Sequence, residues 1–190
     1  MKKLLTLIFA VASTQLFAQS WELDKSHTNI KFTVTHMVVS EVDGTFGDFS
    51  GTVTGGDDKF VGAAVEFTAQ TASVDTDSER RDTHLKSDDF FNAEKFPTIK
   101  FSGKIVDEGG KYFLVGNFTM RDVTKPVKFD VKYNGKVDTG RGMKAGFKVT
   151  GAINRFDYGL KWDAALEAGG LVVADEVQIT CNVELNAPKS

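Results

Sequence analysis

With a single cysteine, Cys181, the 190-residue chain can form no intramolecular disulfide, so its stability has to come from packing. Cys181 shares the parity of Val177, Ile179, Val183 and Leu185 and reads as a small buried apolar side chain, not a nucleophile or redox thiol. Histidine is almost as scarce. His27, His36 and His84 are the whole supply, none in an HxxxH or HExxH spacing, and a continuous strand would put His27 and His36 on opposite faces. No metal site is expected. The sequence also lacks a GxSxG turn and a glycine-rich phosphate loop, and spacing finds no partner acid for the Asp88–Asp89 pair. Catalytic residues are therefore not assigned, and the chain is not expected to be an enzyme.

Basic residues are in short supply too. The first 18 residues, MKKLLTLIFAVASTQLFA, have two lysines, a mostly apolar run from Leu4 to Ala12 and a closing alanine, which reads as a secretory signal peptide cut after Ala18. The 23 basic residues less Lys2 and Lys3 leave 21 against 26 acidic ones, a net charge of −5 over residues 19–190. Without a clustered basic footprint, nucleic acid is excluded as a partner. No later stretch approaches the roughly 18 consecutive apolar residues of a membrane-spanning helix. The expected product is one exported domain of residues 19–190, in the periplasm of a Gram-negative bacterium.

What the chain does have is alternation. Ala63, Val65, Phe67 and Ala69 alternate with Ala64, Glu66, Thr68 and Gln70; Ile99, Phe101, Gly103 and Ile105 with Lys100, Ser102 and Lys104. The period of two returns in Val127–Tyr133, Ala145–Ile153 and Glu176–Leu185, as in antiparallel strands with one dry and one wet face. Turn signals lie at GGDDK (55–59), DEGGK (107–111), Thr124–Lys125–Pro126, NGK (134–136) and DTGRG (138–142). About eight strands result, predicting an all-β, eight-stranded antiparallel barrel or a two-sheet sandwich. Segment 76–97 breaks the period: Thr76 and Glu79 have capping-box spacing, which predicts one short helix near 77–86.

Ala63, Ala69, Gly103, Gly116, Ala145 and Gly151 are small for inward positions. One reading makes this an apolar cavity walled by Phe32, Phe67, Phe101, Phe118, Phe129 and Phe147; the other has glycines relieving curvature while aromatics fill the gaps. The row Ile30, Phe32, Val34 ends on His36, which suits either a contact at the barrel rim or a structural histidine. Arg80, Arg81, Asp82 and His84 on the short helix supply cation donors for an anionic or quinone-like head, or form a solvated face.

Several longer stretches carry a resemblance. SHTNIKFTVTHMVVSEVDGTFGDFSGTV, RRDTHLKSDDFFNAEKFPTIKF, GNFTMRDVTKPV, FDYGLKW and ADEVQIT occur in order along residues 26–180 and resemble the YceI-like family, exported proteins with a lipocalin-like barrel that bind polyisoprenoids. The resemblance implies a long apolar tunnel, partly covered by the helix, with an isoprenoid tail inside and its polar head at the mouth. It falls on Arg81, Asp82, His84, Leu85, Ser87, Asp89, Phe90 and Phe91, and on His27, Phe32 and His36. Where the family often has a turn glycine, this chain has Asp122, which tolerates left-handed backbone.

The candidate ligand-binding residues are thus Phe32, Val34, His36, Phe67, His84, Phe90, Phe91, Phe101, Phe118, Phe129, Phe147 and Trp162. The expected ligand is an amphiphilic lipid such as an isoprenoid quinone or polyprenyl compound, carried without other cofactors, with transient contact to a membrane or membrane enzyme and room for a homodimer. The alternatives are an enzyme using His36 or His84 on a small apolar substrate, and a filled barrel acting as an interaction module.

Overall fold

A computed structural model describes residues 19–165 and 171–188; the leader assigned to residues 1–18 lies outside them. Among the described residues no helix is long and apolar enough to cross a membrane. The strands are β1 (Ser20–Leu23), β2 (Asn29–His36), β3 (Ser40–Phe46), β4 (Phe49–Thr54), β5 (Ala64–Gln70) and β6 (Val74–Asp75). After the helix α1 (Glu79–Lys86) come β7 (Thr98–Glu108), β8 (Lys111–Met120), β9 (Val123–Asp138), β10 (Met143–Asn154) and β11 (Val173–Asn186).

These eleven segments fill eight positions. β1 and β2 follow one another along the first, β3 and β4 along the second, β5 and β6 along the third, and β7 to β11 take the remaining five. Every neighbouring pair is antiparallel, and β11 meets both β10 and the first position, so the barrel is closed and up-and-down. Closure gives every strand position a neighbour on both sides.

Two of the turn signals lie inside a strand. Thr124–Lys125–Pro126 belongs to β9, where Pro126 faces Asn117 and only β8 is paired, so its missing N–H breaks no ladder bond to β10. The actual turn is Arg121–Asp122, both left-handed with φ of 50° and 59°, the shape that matches strand twist in a two-residue hairpin. Asn134–Gly135–Lys136 is a bulge: Gly135 has φ of 115° and the β9–β10 register slips between Gly146 and Phe147.

α1 forms at Glu79–Lys86, near the predicted span, but the expected capping box is not made. Ser78 is the N-cap and its side chain caps nothing. Thr76 is instead drawn into a tertiary knot, its hydroxyl donating to Asp82 (2.6 Å) while accepting from Arg81 Nε (2.7 Å), and its carbonyl accepting from Arg81 Nη2 (2.6 Å).

The space directly over the inward glycines is taken by rings. A β-carbon on Gly103 would lie 2.6 Å from the tip of Phe101, and one on Gly116 2.8 Å from the same atom. Phe101 covers this facing pair, as Phe129 covers Gly151 and Phe32 covers Gly44. At one end the barrel is floored by Trp21, Phe60, Tyr133 and Phe147, with Phe60 5.1 Å from both Trp21 and Phe147. Phe60 arrives from the β4–β5 loop in a left-handed conformation and is 3% exposed. The tunnel implied by the resemblance is accordingly blocked at this end.

β1 meets β11 through only two residue pairs, Glu22–Asn186 and Leu23–Leu185. Outside that seam Lys144 of β10 donates to Asp24 (2.7 Å) and to Glu184 of β11, and His27 stands 3.2 Å from Asp24. Asp24, His27 and Glu184 are the one group with metal-ligand spacing among the described residues, but the Lys144 ammonium already sits on both carboxylates. Lys144 holds the Asp24 carboxyl well below its ordinary range, and the carboxylates raise Lys144 above its own. The stabilisation is therefore present above about pH 4, fades as acid protonates Asp24, and at the other limit fades as alkali strips Lys144. Lys144→Met should lower the urea midpoint at pH 7, with the gap to the parent closing below about pH 4; parallel urea titrations across pH measure it.

Candidate functional site

Two adjoining chambers occupy the barrel. The inner one, about 160 Å³, lies between the ring floor and the middle of the barrel and is walled by aliphatic and aromatic side chains including Val65, Phe67, Phe101, Phe129, Phe147 and Val149. Cys181 faces this chamber, and burial pushes its thiol up to about 12, so it is an inert wall residue. The outer chamber, about 330 Å³, lies toward the β2–β3 and β8–β9 turns and α1. Phe32, Phe46, Ile99, Phe118 and Ile179 line both, so the two volumes share one apolar partition.

Every predicted site residue lies on one chamber or both. Phe67, Phe101, Phe129 and Phe147 line the inner one; Val34, His36, His84, Phe90, Phe91 and Trp162 the outer; Phe32 and Phe118 both. Of the other positions picked out by the resemblance, Arg81 and Leu85 line the outer chamber, Ser87 donates to the His84 carbonyl at the end of α1 (2.7 Å), and Asp89 pairs with His84 Nε2 (2.8 Å). His27 lies apart, at the outer-face seam.

The outer chamber is assembled from segments whose alternation fails. Phe90 and Phe91 follow α1 and are buried at 6% and 7%, with Phe91 edge-on to Phe46 at 5.6 Å. His84 is perpendicular to both Phe90 (5.1 Å) and Trp162 (5.5 Å). Arg121 fixes this wall from the β8–β9 turn: its guanidinium donates to the Asp88 and Phe90 carbonyls (2.9 and 2.6 Å) and to the Asp88 carboxylate (3.2 Å). Those bonds offset the unfavourable left-handed backbone of a non-glycine residue.

Arg155 is the residue that sequence reasoning missed. It is 2% exposed and lines the outer chamber, with four N–H groups given to the carbonyls of Ala174 (2.9 Å), Leu160 (2.9 Å), Trp162 (2.7 Å) and Val173 (3.1 Å). Burial lowers its pKa, opposed by the charges of Asp163 and Asp175, yet a guanidinium stays protonated at any ordinary pH. A signal existed: Arg155 continues the inward row of Ala145, Phe147, Val149, Gly151 and Ile153, where a cation is out of place.

The YceI-like domain model matches residues 21–185. A UPF0312 protein of Staphylococcus aureus (strain N315) is 34% identical over 169 residues, spanning 88% of this chain and 97% of that protein. Among solved structures, a Campylobacter jejuni YCEI protein superposes with a TM-score of 0.70 at 29% identity, covering 88% of this chain and 97% of that one. A polyisoprenoid binding domain from Saccharophagus degradans, implicated in plant cell wall breakdown, has the same fold with a TM-score of 0.67 at 14% identity, covering 88% and 98%. With the family model matched over nearly all the described barrel and the Staphylococcus aureus relative aligned along 97% of its length, this chain belongs to the YceI-like family.

Proposed function

We propose that this protein is a non-enzymatic, periplasmic carrier that holds the tail of an isoprenoid-type lipid in the inner chamber and its head in the outer one. The observation that carries this reading is the pair of adjoining chambers, one walled by hydrocarbon and the other by hydrocarbon plus His36, Arg81, His84 and Arg155. Their volumes together fall within the ~300–1,000 Å³ usual for small-molecule sites. Burying about ten methylene groups at ~0.8 kcal/mol each contributes ~8 kcal/mol, near micromolar affinity before ordering costs. The polyisoprenoid binding domain from Saccharophagus degradans supports the choice of tail, and the leader-like residues 1–18 support export.

Brief contact with a membrane would load and unload such a ligand. The β2–β3 hairpin supports it: Met37, Val38 and Val39 are 45%, 70% and 87% exposed, and directly follow His36 on the wall of the outer chamber. Val38 holds φ of 65°, costly for a β-branched side chain, and such strain clusters at functional positions. Three aliphatic side chains are far fewer than the ~20–30 residues a side of a stable protein interface, but enough to dip into a lipid headgroup layer.

Protein purified without detergent and extracted with organic solvent should release a lipid detectable by mass spectrometry. Ile179→Trp, which plugs the partition between the chambers, should reduce uptake of added polyprenol or quinone by about an order of magnitude while the barrel stays folded; an empty protein that ignores both lipids defeats the reading. For the hairpin, Val38→Asn together with Val39→Ser should raise thermal stability, because asparagine accepts the left-handed backbone, yet slow transfer of a fluorescent lipid to phosphatidylethanolamine vesicles severalfold. Unchanged transfer would remove the tip from the exchange step.

A further inference from the structure

We infer that the outer chamber selects amphiphiles with an ionised acid head, a carboxylate or a phosphate, over neutral heads on the same tail; this rests on the tail-holding reading above. The ionisable residues on its wall are His36, Arg81, His84 and Arg155, and no aspartate or glutamate lines it among the described residues. That bias runs against the whole chain, whose net charge is −3.

The carboxylates nearest Arg81, His84 and Arg155 are not on its wall. Asp89 holds His84 from outside and is 57% exposed. Asp82 is tied to Arg81 through the hydroxyl of Thr76, and Asp175 accepts from Asn154 (2.9 Å) on the exposed side of the Arg155 loop. The two guanidiniums, Arg81 and Arg155, therefore line the chamber without a carboxylate beside them on its wall.

Arg155 contributes a buried charge to this wall. Among the described residues no carboxylate lies within 4 Å of its guanidinium, which donates to neutral carbonyls while Asp163 and Asp175 act on it only from farther away. In a site walled by Phe90, Phe91 and Trp162 that charge is weakly screened, so an anion entering the chamber gains more than it would at the surface. Arg81 supplies the contact. Its Nε and Nη2 hold Thr76, while its Nη1 makes no bond to a described residue and can donate to an acid head. The resulting bond is charge-assisted on both sides, whereas an alcohol or quinone head accepts from one cation and an amine head is repelled.

The test is a set of ligands with one tail: farnesoic acid, farnesyl phosphate, farnesol and farnesylamine, titrated into delipidated protein by calorimetry or by displacement of a fluorescent probe. The acid, the phosphate or both should bind at least about tenfold tighter than farnesol, with the amine weakest. Whichever anion binds tighter identifies the carboxylate or the phosphate as the preferred head. Arg81→Gln should erase most of that advantage, bringing the Kd of the acid and the phosphate to within about twofold of the farnesol Kd measured on the same variant. Equal binding of acid, alcohol and amine overturns the head-group assignment alone. Failure of all four to bind overturns the tail-holding reading and this one with it.

Discussion

The interior of a barrel with eight strand positions is only about as wide as its own side chains can fill, and where space survives is decided by how the rings lie. Phe101 lies along the wall, over Gly103 and Gly116, which face one another across β7 and β8. Had either position carried a β-carbon, the ring would stand away from the sheet and cross the bore; a methyl on Gly116 would also meet the Gly103 backbone at 2.6 Å. Phe129 over Gly151 and Phe32 over Gly44 repeat the device. Small residues thus open the barrel indirectly, by letting large ones lie flat.

Laid flat, the rings form a wall instead of a plug, and the plug is made elsewhere. Phe60 enters from a loop and completes a four-ring floor with Trp21, Tyr133 and Phe147. Its loop is fixed by Asp57, whose carboxylate accepts the Lys59 and Val61 N–H groups (2.8 and 2.9 Å) and is held below its ordinary range by them. The closed end follows from that plug together with the seam of β1 and β11.

The barrel wall was legible because each strand solves the same local problem, one dry face and one wet, so alternation alone found the rows ending at Ala69, Ile105, Tyr133 and Ile153. It failed where a tertiary partner overrode local chemistry. Thr76 has capping-box spacing to Glu79, yet Arg81 and Asp82 engage it first. Pro126 and Gly135 are turn residues by propensity, but one faces an unpaired stretch and the other a bulge, so β9 runs through both. Phe60 follows the acidic run GGDDK, and nothing local marks it as the floor of a core. The candidate site was readable in its aromatic half for the same reason as the wall. Its polar half was not, because Arg155 is held by carbonyls from residues 160–162 and from the start of β11, a pairing visible only once the chain has folded.

Arg155 also explains how the irregular segment can bound a chamber at all. Residues 159–164 are neither helix nor paired strand, so their carbonyls need donors from elsewhere, and buried carbonyls without them would be costly. One planar guanidinium serves Leu160 and Trp162 on that segment and Val173 and Ala174 on β11, tying the two walls together. A hydrophobic side chain of equal volume could fill the space but satisfy none of the four acceptors. The buried charge on the wall of the outer chamber is thus a consequence of how that wall is built. In the proposed reading affinity and selectivity then separate along the axis of the barrel: the inner chamber would supply apolar burial whatever the head, and the outer chamber would distinguish heads without rebuilding the wall behind it.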